Sequence, residues 1–168
     1  MTDSSSMRNI LLVGSGGREH ALAWKLLKSA SLEKLFVAPG NGGTNDHNVA
    51  ISSTETLKLL EFAKSRDCLT IVGPEAPLAA GIVDRFQSAE LPIFGPTQEQ
   101  AKLETSKVFA KEFMKRLDIP TANFRVFDEV EPALDYSLRS KNGIVVKVDG
   151  LAAGKGVFVC DSQSEAED

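Results

Sequence analysis

Short apolar runs alternate along the chain with stretches in which apolar positions recur every three or four residues, so strands and helices are expected to follow one another. Asn9 to Val13 predicts a strand running into Gly14-Ser15-Gly16-Gly17, and Ala21, Leu22, Trp24, Leu26 and Leu27 predict the helix behind it. Leu35 to Val37 repeats the strand signal before Pro39-Gly40-Asn41-Gly42-Gly43, and Val49 to Ile51 predicts a weaker strand. A helix over Thr54 to Lys64 rests on Leu57, Leu60 and Ala63, and a strand over Leu69 to Val72 stops at Gly73-Pro74. Leu78 to Phe86 reads as the next helix, with Ile82 and Phe86 on one stripe, and Pro92-Ile93-Phe94 leads to Gly95-Pro96. Such alternation implies right-handed crossovers and a largely parallel sheet.

After Gly95 the pattern changes. Ser106 to Leu117 predicts a helix with Val108, Phe109 and Phe113 apolar, Asn123 to Phe127 is strand-like, and Val130 to Leu138 is helical. Ile144 to Val148 and Val157 to Val159 are both extended, and the eight residues between them are too few for a helical crossover of about a dozen, which predicts an antiparallel hairpin. A boundary is therefore expected near residues 96 to 105, dividing an α/β domain over 1–104 from an α+β module over 105–168. A hairpin with one or two helices buries little core, so the second module reads as unfinished and the chain as a fragment. Trp24, Phe109, Phe113 and the leucine stripes are expected in the core.

Composition narrows the function classes. With 19 basic against 23 acidic residues the net charge of -4 gives no general attraction to nucleic acid or anionic membrane, so any phosphate binding must be local. No apolar run approaches the roughly 20 residues that span a bilayer. The leader Met1 to Met7 has neither a basic n-region nor an apolar h-region, so secretion is not expected. Cys68 and Cys160, without a metal-ligand or CxxC pattern, read as buried thiols of a reducing cytoplasm.

Three predicted strands end in glycine or proline-glycine loops, and in an open parallel sheet those ends share one edge where ligands bind. Gly14-x-Gly16 is half of a dinucleotide fingerprint, but Glu19 stands where the third glycine belongs and no acid closes the second strand. What remains is a loop of inward N–H groups before a helix, which suits a small phosphate or is simply a tight turn. Arg18 and His20 could add charge and a hydrogen bond, or cap and pack locally. Glu75 could orient a ribose hydroxyl or amine, or cap the following helix.

Gly150-Leu151-Ala152-Ala153-Gly154-Lys155-Gly156 is no Walker A loop: it is one residue short, Gly156 replaces the hydroxyl residue and a strand follows. A glycine-rich hairpin tip with one lysine instead suits closure over phosphates. In the preceding strand Val145, Lys147 and Asp149 share one face, so Lys147 and Asp149 either line a cleft beneath that tip or face solvent at an edge. Lys107, beside Ser106 at a helix start, carries no signal alone.

Taken together, Gly14-Ser15-Gly16-Gly17-Arg18-Glu19-His20-Ala21-Leu22-Ala23-Trp24, Val37 to Thr44, Val72 to Leu78, Ile119 to Ala122 and Asp149 to Val157 closely resemble the phosphoribosylamine-glycine ligase (glycinamide ribonucleotide synthetase) family of the ATP-grasp superfamily, over nearly the whole chain. The resemblance implies a Rossmann-like N-terminal domain followed by the beginning of an ATP-grasp domain. It implies ATP-dependent ligation of glycine to 5-phosphoribosylamine through a glycyl phosphate, in purine synthesis, in the cytosol. Lys107, Lys147, Asp149, Gly150, Gly154, Lys155 and Gly156 become the ATP-binding candidates, and Gly14, Gly16, Gly17, Arg18, Asn41, Gly43 and Glu75 the substrate-binding ones. The ligands for magnesium (or manganese) are expected beyond residue 168, with no metal ligand inside it. Neither nucleic acid nor membrane is an expected partner, and further purine-pathway domains in a longer parent stay open. A related ATP-grasp carboxylase and a non-catalytic truncated or regulatory product are the competing readings.

Overall fold

The run from Ile10 to Val13 is buried on both sides, the condition under which a strand has no polar alternation to show. In the computed structural model, which describes residues 7–140, 143–152 and 154–167, it is the heart of β1 (Arg8–Gly14). The leader over residues 1–6 and Ala153 of the glycine-rich tip lie outside the described residues. The chain divides into two compact units, Met1–Ala101 and Lys102–Asp168.

In the first unit α1 (Gly17–Leu26) leads to β2 (Leu32–Pro39), a 3-10 turn over Gly42–His47 and α2 (Thr56–Ser65). Then come β3 (Cys68–Val72), α3 (Glu75–Ala79), α4 (Ile82–Ser88), β4 (Ile93–Phe94) and α5 (Gln98–Thr105), within which the division falls. The sheet is wholly parallel, ordered β2-β1-β3-β4. Leu11 and Val13 face a core built with Leu59, Ala63, Ile82, Val83 and Phe86, whereas Ile10 and Leu12 face Ala23, Leu35 and Val37. Helices thus cover both faces, and each large side chain buried there contributes about 1.5–3 kcal/mol. Cys68 lies in the first core; burial, with Asp67 beside it, pushes its thiol up to about 11.

Several expectations need correcting. Val49 to Ile51 is not a strand: after the single bridge between Val37 and Asn48, the Ile51 N–H turns back to the Val49 carbonyl at 2.7 Å and curls the chain away. The helix expected over Leu78 to Phe86 is broken at Gly81, whose φ of +77° no helix accommodates. In α2 the buried stripe is Leu59 and Ala63, while Leu57 is 63 % exposed. Trp24 is 58 % exposed rather than core, because α1 turns Glu19 and Ala23 inward and leaves the indole beside Lys28, whose ammonium lies 3.3 Å above the ring.

In the second unit α6 (Lys107–Arg116) and α7 (Val130–Ser137) precede β5 (Ile144–Lys147), β6 (Val157–Cys160) and α8 (Gln163–Glu167). β5 and β6 form the expected antiparallel hairpin, Lys147 opposite Val157 and Ile144 opposite Cys160. Asn123 to Phe127 joins no ladder among the described residues; instead Lys111 of α6 donates to the Thr121 hydroxyl at 2.6 Å and the Ala122 carbonyl at 3.2 Å. Phe109 and Phe113 stack on one another with ring centroids 6.3 Å apart and are only half-buried.

Candidate functional site

Strand order alone locates the first candidate site. The chain leaves β1 for β2 on one side and returns to β3 on the other, so the crossovers diverge between β1 and β3, which is where an open parallel sheet leaves a crevice at its carboxyl edge. The three glycine loops meet there. The Gly40 N–H donates to the Gly14 carbonyl at 3.1 Å and the Gly73 N–H to the Val13 carbonyl at 3.0 Å. Arg18 donates to the Gly73 carbonyl at 2.5 Å and lies 3.6 Å from the Glu75 carboxylate, in the first turn of α3.

Asn41 binds the second loop to the first. Its amide donates to the carbonyls of Ser15 and Gly16 at 3.0 and 3.1 Å, while its oxygen accepts from the Gly43 N–H at 2.8 Å. Gly43 is bare because His20 packs on it: a Cβ there would stand 2.6 Å from the imidazole Nε2. Asn41 and Gly43, both expected as substrate contacts, are the residues that make these contacts between the loops and α1. Thr44 and Asn48, which sequence reasoning missed, complete the brace, with the Thr44 hydroxyl 2.6 Å from Asn48 Oδ1 and the Asn48 amide donating to the Asn41 carbonyl at 3.0 Å.

The first turn of α1 keeps an open set of donors. Gly16 is the cap and has no side chain, and the first intrahelical bond runs from the His20 N–H to the Gly16 carbonyl at 3.1 Å. The N–H groups of Gly17, Arg18 and Glu19 therefore have no carbonyl of their own helix to reach. A Cβ built at Gly17 would meet nothing within 4 Å among the described residues, so the space beside this glycine is empty. Glu19 itself is 3 % exposed and folded back beneath the loop. In the sequence it interrupts the glycine fingerprint, and the signal of its role is an acid three positions after a helix cap, which commonly reaches back to the cap N–H.

The second unit gathers a different chemistry. Asp149 accepts from the Ser106 hydroxyl at 3.2 and 3.1 Å and from the Val108 N–H at 3.1 Å, so its carboxylate closes the start of α6. The slight desolvation of this exposed residue alone would raise the acid; the hydrogen bonds from Val108, Gly150, Ser106 and Lys107 outweigh it and hold it below the ordinary aspartate value. Lys107 donates to the Gly150 carbonyl at 2.8 Å, which brings it to the glycine-rich tip. Lys147 and Lys155 are exposed, Gly150 and Gly154 have positive φ with open space where a Cβ would stand, and Gly156 is buried against Ala152. Among the described residues no three His, Cys, Asp or Glu side chains gather as a metal site.

Residues 8–104 match the phosphoribosylglycinamide synthetase N domain and residues 105–168 its ATP-grasp (A) domain. The chain belongs to the phosphoribosylglycinamide synthetase family. It is 59 % identical over 165 residues to the phosphoribosylamine-glycine ligase of Pasteurella multocida and 56 % identical to that of Haemophilus influenzae, covering 95 % of this chain and 38 % of each relative. The crystal structure of the Thermotoga maritima ligase is 34 % identical with a TM-score of 0.71, covering 95 % of this chain and 37 % of that one. An N5-carboxyaminoimidazole synthase from Aspergillus clavatus, in complex with ADP and 5-aminoimidazole ribonucleotide, shares the fold at 18 % identity and a TM-score of 0.71. The chain thus spans under two fifths of its relatives' length and comprises a Rossmann-like N domain with the start of an ATP-grasp domain. No helix among the described residues is long and apolar enough to cross a membrane.

Proposed function

We propose that this chain supplies the sugar-phosphate site and part of the nucleotide site of a cytosolic ligase that joins glycine to 5-phosphoribosylamine at the expense of ATP, giving glycinamide ribonucleotide. The observation that carries the reading is the convergence of three strand-end loops around a helix start whose cap, Gly16, has no side chain, at the β1/β3 crevice. There the N–H groups of Gly17 and Arg18 would hold the 5-phosphate, with the guanidinium of Arg18 beside it, and Glu75 would orient the sugar amine or a hydroxyl. Gly14, Gly16, Asn41 and Gly43 would shape the loops. We assign residues 1–104 to this task and residues 105–168 to the nucleotide.

The lysines and open glycines of the second unit fit ATP, which when bound would supply the phosphoryl group that turns glycine carboxylate into an electrophile. Lys107, Lys147 and Lys155 would bind and neutralise phosphate oxygens, Gly150, Gly154 and Gly156 would let the tip close over them and exclude water, and Asp149 would position the tip. Magnesium or manganese we assign to acidic groups outside this chain.

Calorimetric titration tests the assignment. Ribose 5-phosphate should bind the chain and compete poorly with ATP, and Lys147→Ala should weaken ATP while leaving ribose 5-phosphate untouched. Glycinamide ribonucleotide formation by this chain alone, above a heat-inactivated control, would overturn the division of labour between it and the rest of the ligase. Loss of ribose 5-phosphate binding on Lys147→Ala would show that the two loops have been given the wrong ligands.

A further inference from the structure

Position 19 is where a dinucleotide-binding turn would place its third glycine, and here it carries a buried acid. Glu19 Oε2 accepts the Gly16 N–H at 2.7 Å, while Oε1, equally hidden, accepts no hydrogen bond from the described residues. The space around the carboxylate is made by glycines of two different loops. A Cβ at Gly14 would stand 2.6 Å from Glu19 Cδ, one at Gly73 2.6 Å from the same atom, and one at Gly16 3.1 Å from Oε2. The side chain therefore sits as a peg between the loop after β1 and the loop after β3.

Stability does not account for an acid in that place. A buried polar atom without a partner costs roughly 1–3 kcal/mol, and an apolar side chain of similar size would fill the gap without that penalty. What the acid adds is a fixed acceptor for Gly16, at the start of the helix whose free N–H groups form the open face. We propose that Glu19 is a positioning residue that clamps the Gly14–Gly17 loop to the Gly73–Glu75 loop, setting the spacing between the α1 donors and the Glu75 carboxylate. The clamp stands on geometry alone; its ligand consequence rests on the sugar-phosphate reading above.

Two measurements on the full chain separate these. Gly73 lies outside the left-handed region, so Gly73→Ala carries no backbone strain and reports only the meeting with Glu19. It should lower Tm by about 5 °C or more in the wild-type background and by much less in Glu19→Ala, while Glu19→Gln, equal in size, should keep the full loss. Equal losses in all three backgrounds would overturn the clamp. If Glu19→Ala does not fold, Glu19→Ser, which also vacates the space under Gly73, replaces it in the comparison.

The second measurement is ribose 5-phosphate affinity. Glu19→Ala should raise Kd about tenfold through loss of preorganisation, and Glu19→Gln, which keeps an oxygen for the Gly16 N–H, should restore most of it. A wild-type Kd in Glu19→Ala would reduce the residue to packing and overturn its positioning role. Failure of the wild-type chain to bind ribose 5-phosphate would instead remove the sugar-phosphate reading, with the Gly73 coupling still deciding the clamp.

Discussion

At the residue scale, glycines that look alike in the sequence do different work. Gly14 and Gly73 make room for Glu19, Gly43 makes room for His20, and only Gly17 in the first loop borders open space. A ligand-facing role is therefore best probed at Gly17. Gly17→Val should leave the fold within about 0.5 kcal/mol of wild type, since the position is exposed and helical, yet weaken ribose 5-phosphate through bulk over the donor N–H groups. Unchanged affinity in calorimetry, with the fold intact, would return the loop to a structural turn. The sequence showed that the glycines matter but not which neighbour each one spares, because that neighbour comes from another loop or the next helical turn. Asp149 offers a second residue-level test. Its folded pKa is depressed, so its stabilisation is full above the ordinary aspartate value and is lost as pH falls through the folded one. Asp149→Asn should therefore cost most near neutral pH, about 0.5–1 kcal/mol as for a lost helix cap, and least once pH has fallen below the lowered folded value, which lies under the ordinary aspartate value of about 3.9. Urea midpoints across that range measure it, and a pH-independent difference would contradict it.

At the scale of elements, strands buried on both faces and strands ending in glycine were legible, since each is a local run of side chains. The phase of a half-amphipathic helix was not. In α2 both Leu57 and Leu60 fit a helical stripe with Ala63, but the face that meets β3 and α4 is fixed by Leu59, completely buried one position away from that stripe. Leu59→Ala should cost about 2–5 kcal/mol and Leu57→Ala close to nothing. Thermal or urea unfolding of the pair decides it, and similar losses at both positions would mean that the helix is rotated. Helix ends fail for a related reason. The apolar positions of Leu78, Ile82 and Phe86 continue across Gly81 as though no break existed, because both short helices face the same core cluster on either side of it. Val49 to Ile51 and Asn123 to Phe127 carry β-prone side chains, but a strand exists only where a neighbour supplies a ladder, and one bridge at Asn48 and the lysine contacts of Lys111 are what these segments find.

At the scale of the molecule, the two units differ in what holds them together. The first packs β1 between two apolar clusters. The hairpin of the second exposes Val145, Val146, Val148, Val157, Phe158 and Val159, so among the described residues neither face of β5 and β6 is covered by a core of the kind that surrounds β1. A two-stranded hairpin in water is marginal, and hydrogen bonds open locally wherever few apolar contacts oppose it. Amide exchange should therefore be slowest in Leu11 to Val13 and Thr70 to Val72, approaching the limit set by global unfolding. In Val145 to Lys147 and Val157 to Val159 it should be faster by about two orders of magnitude or more, a difference of roughly 3 kcal/mol in opening free energy. Exchange followed by mass spectrometry at two protein concentrations gives the answer. Equal protection in dilute solution would show that the hairpin is held as firmly as the parallel sheet. Protection that rises with concentration would show the exposed valines and Phe158 being covered by another copy of the chain, and the hairpin's intrinsic opening would then be read only from the dilute limit.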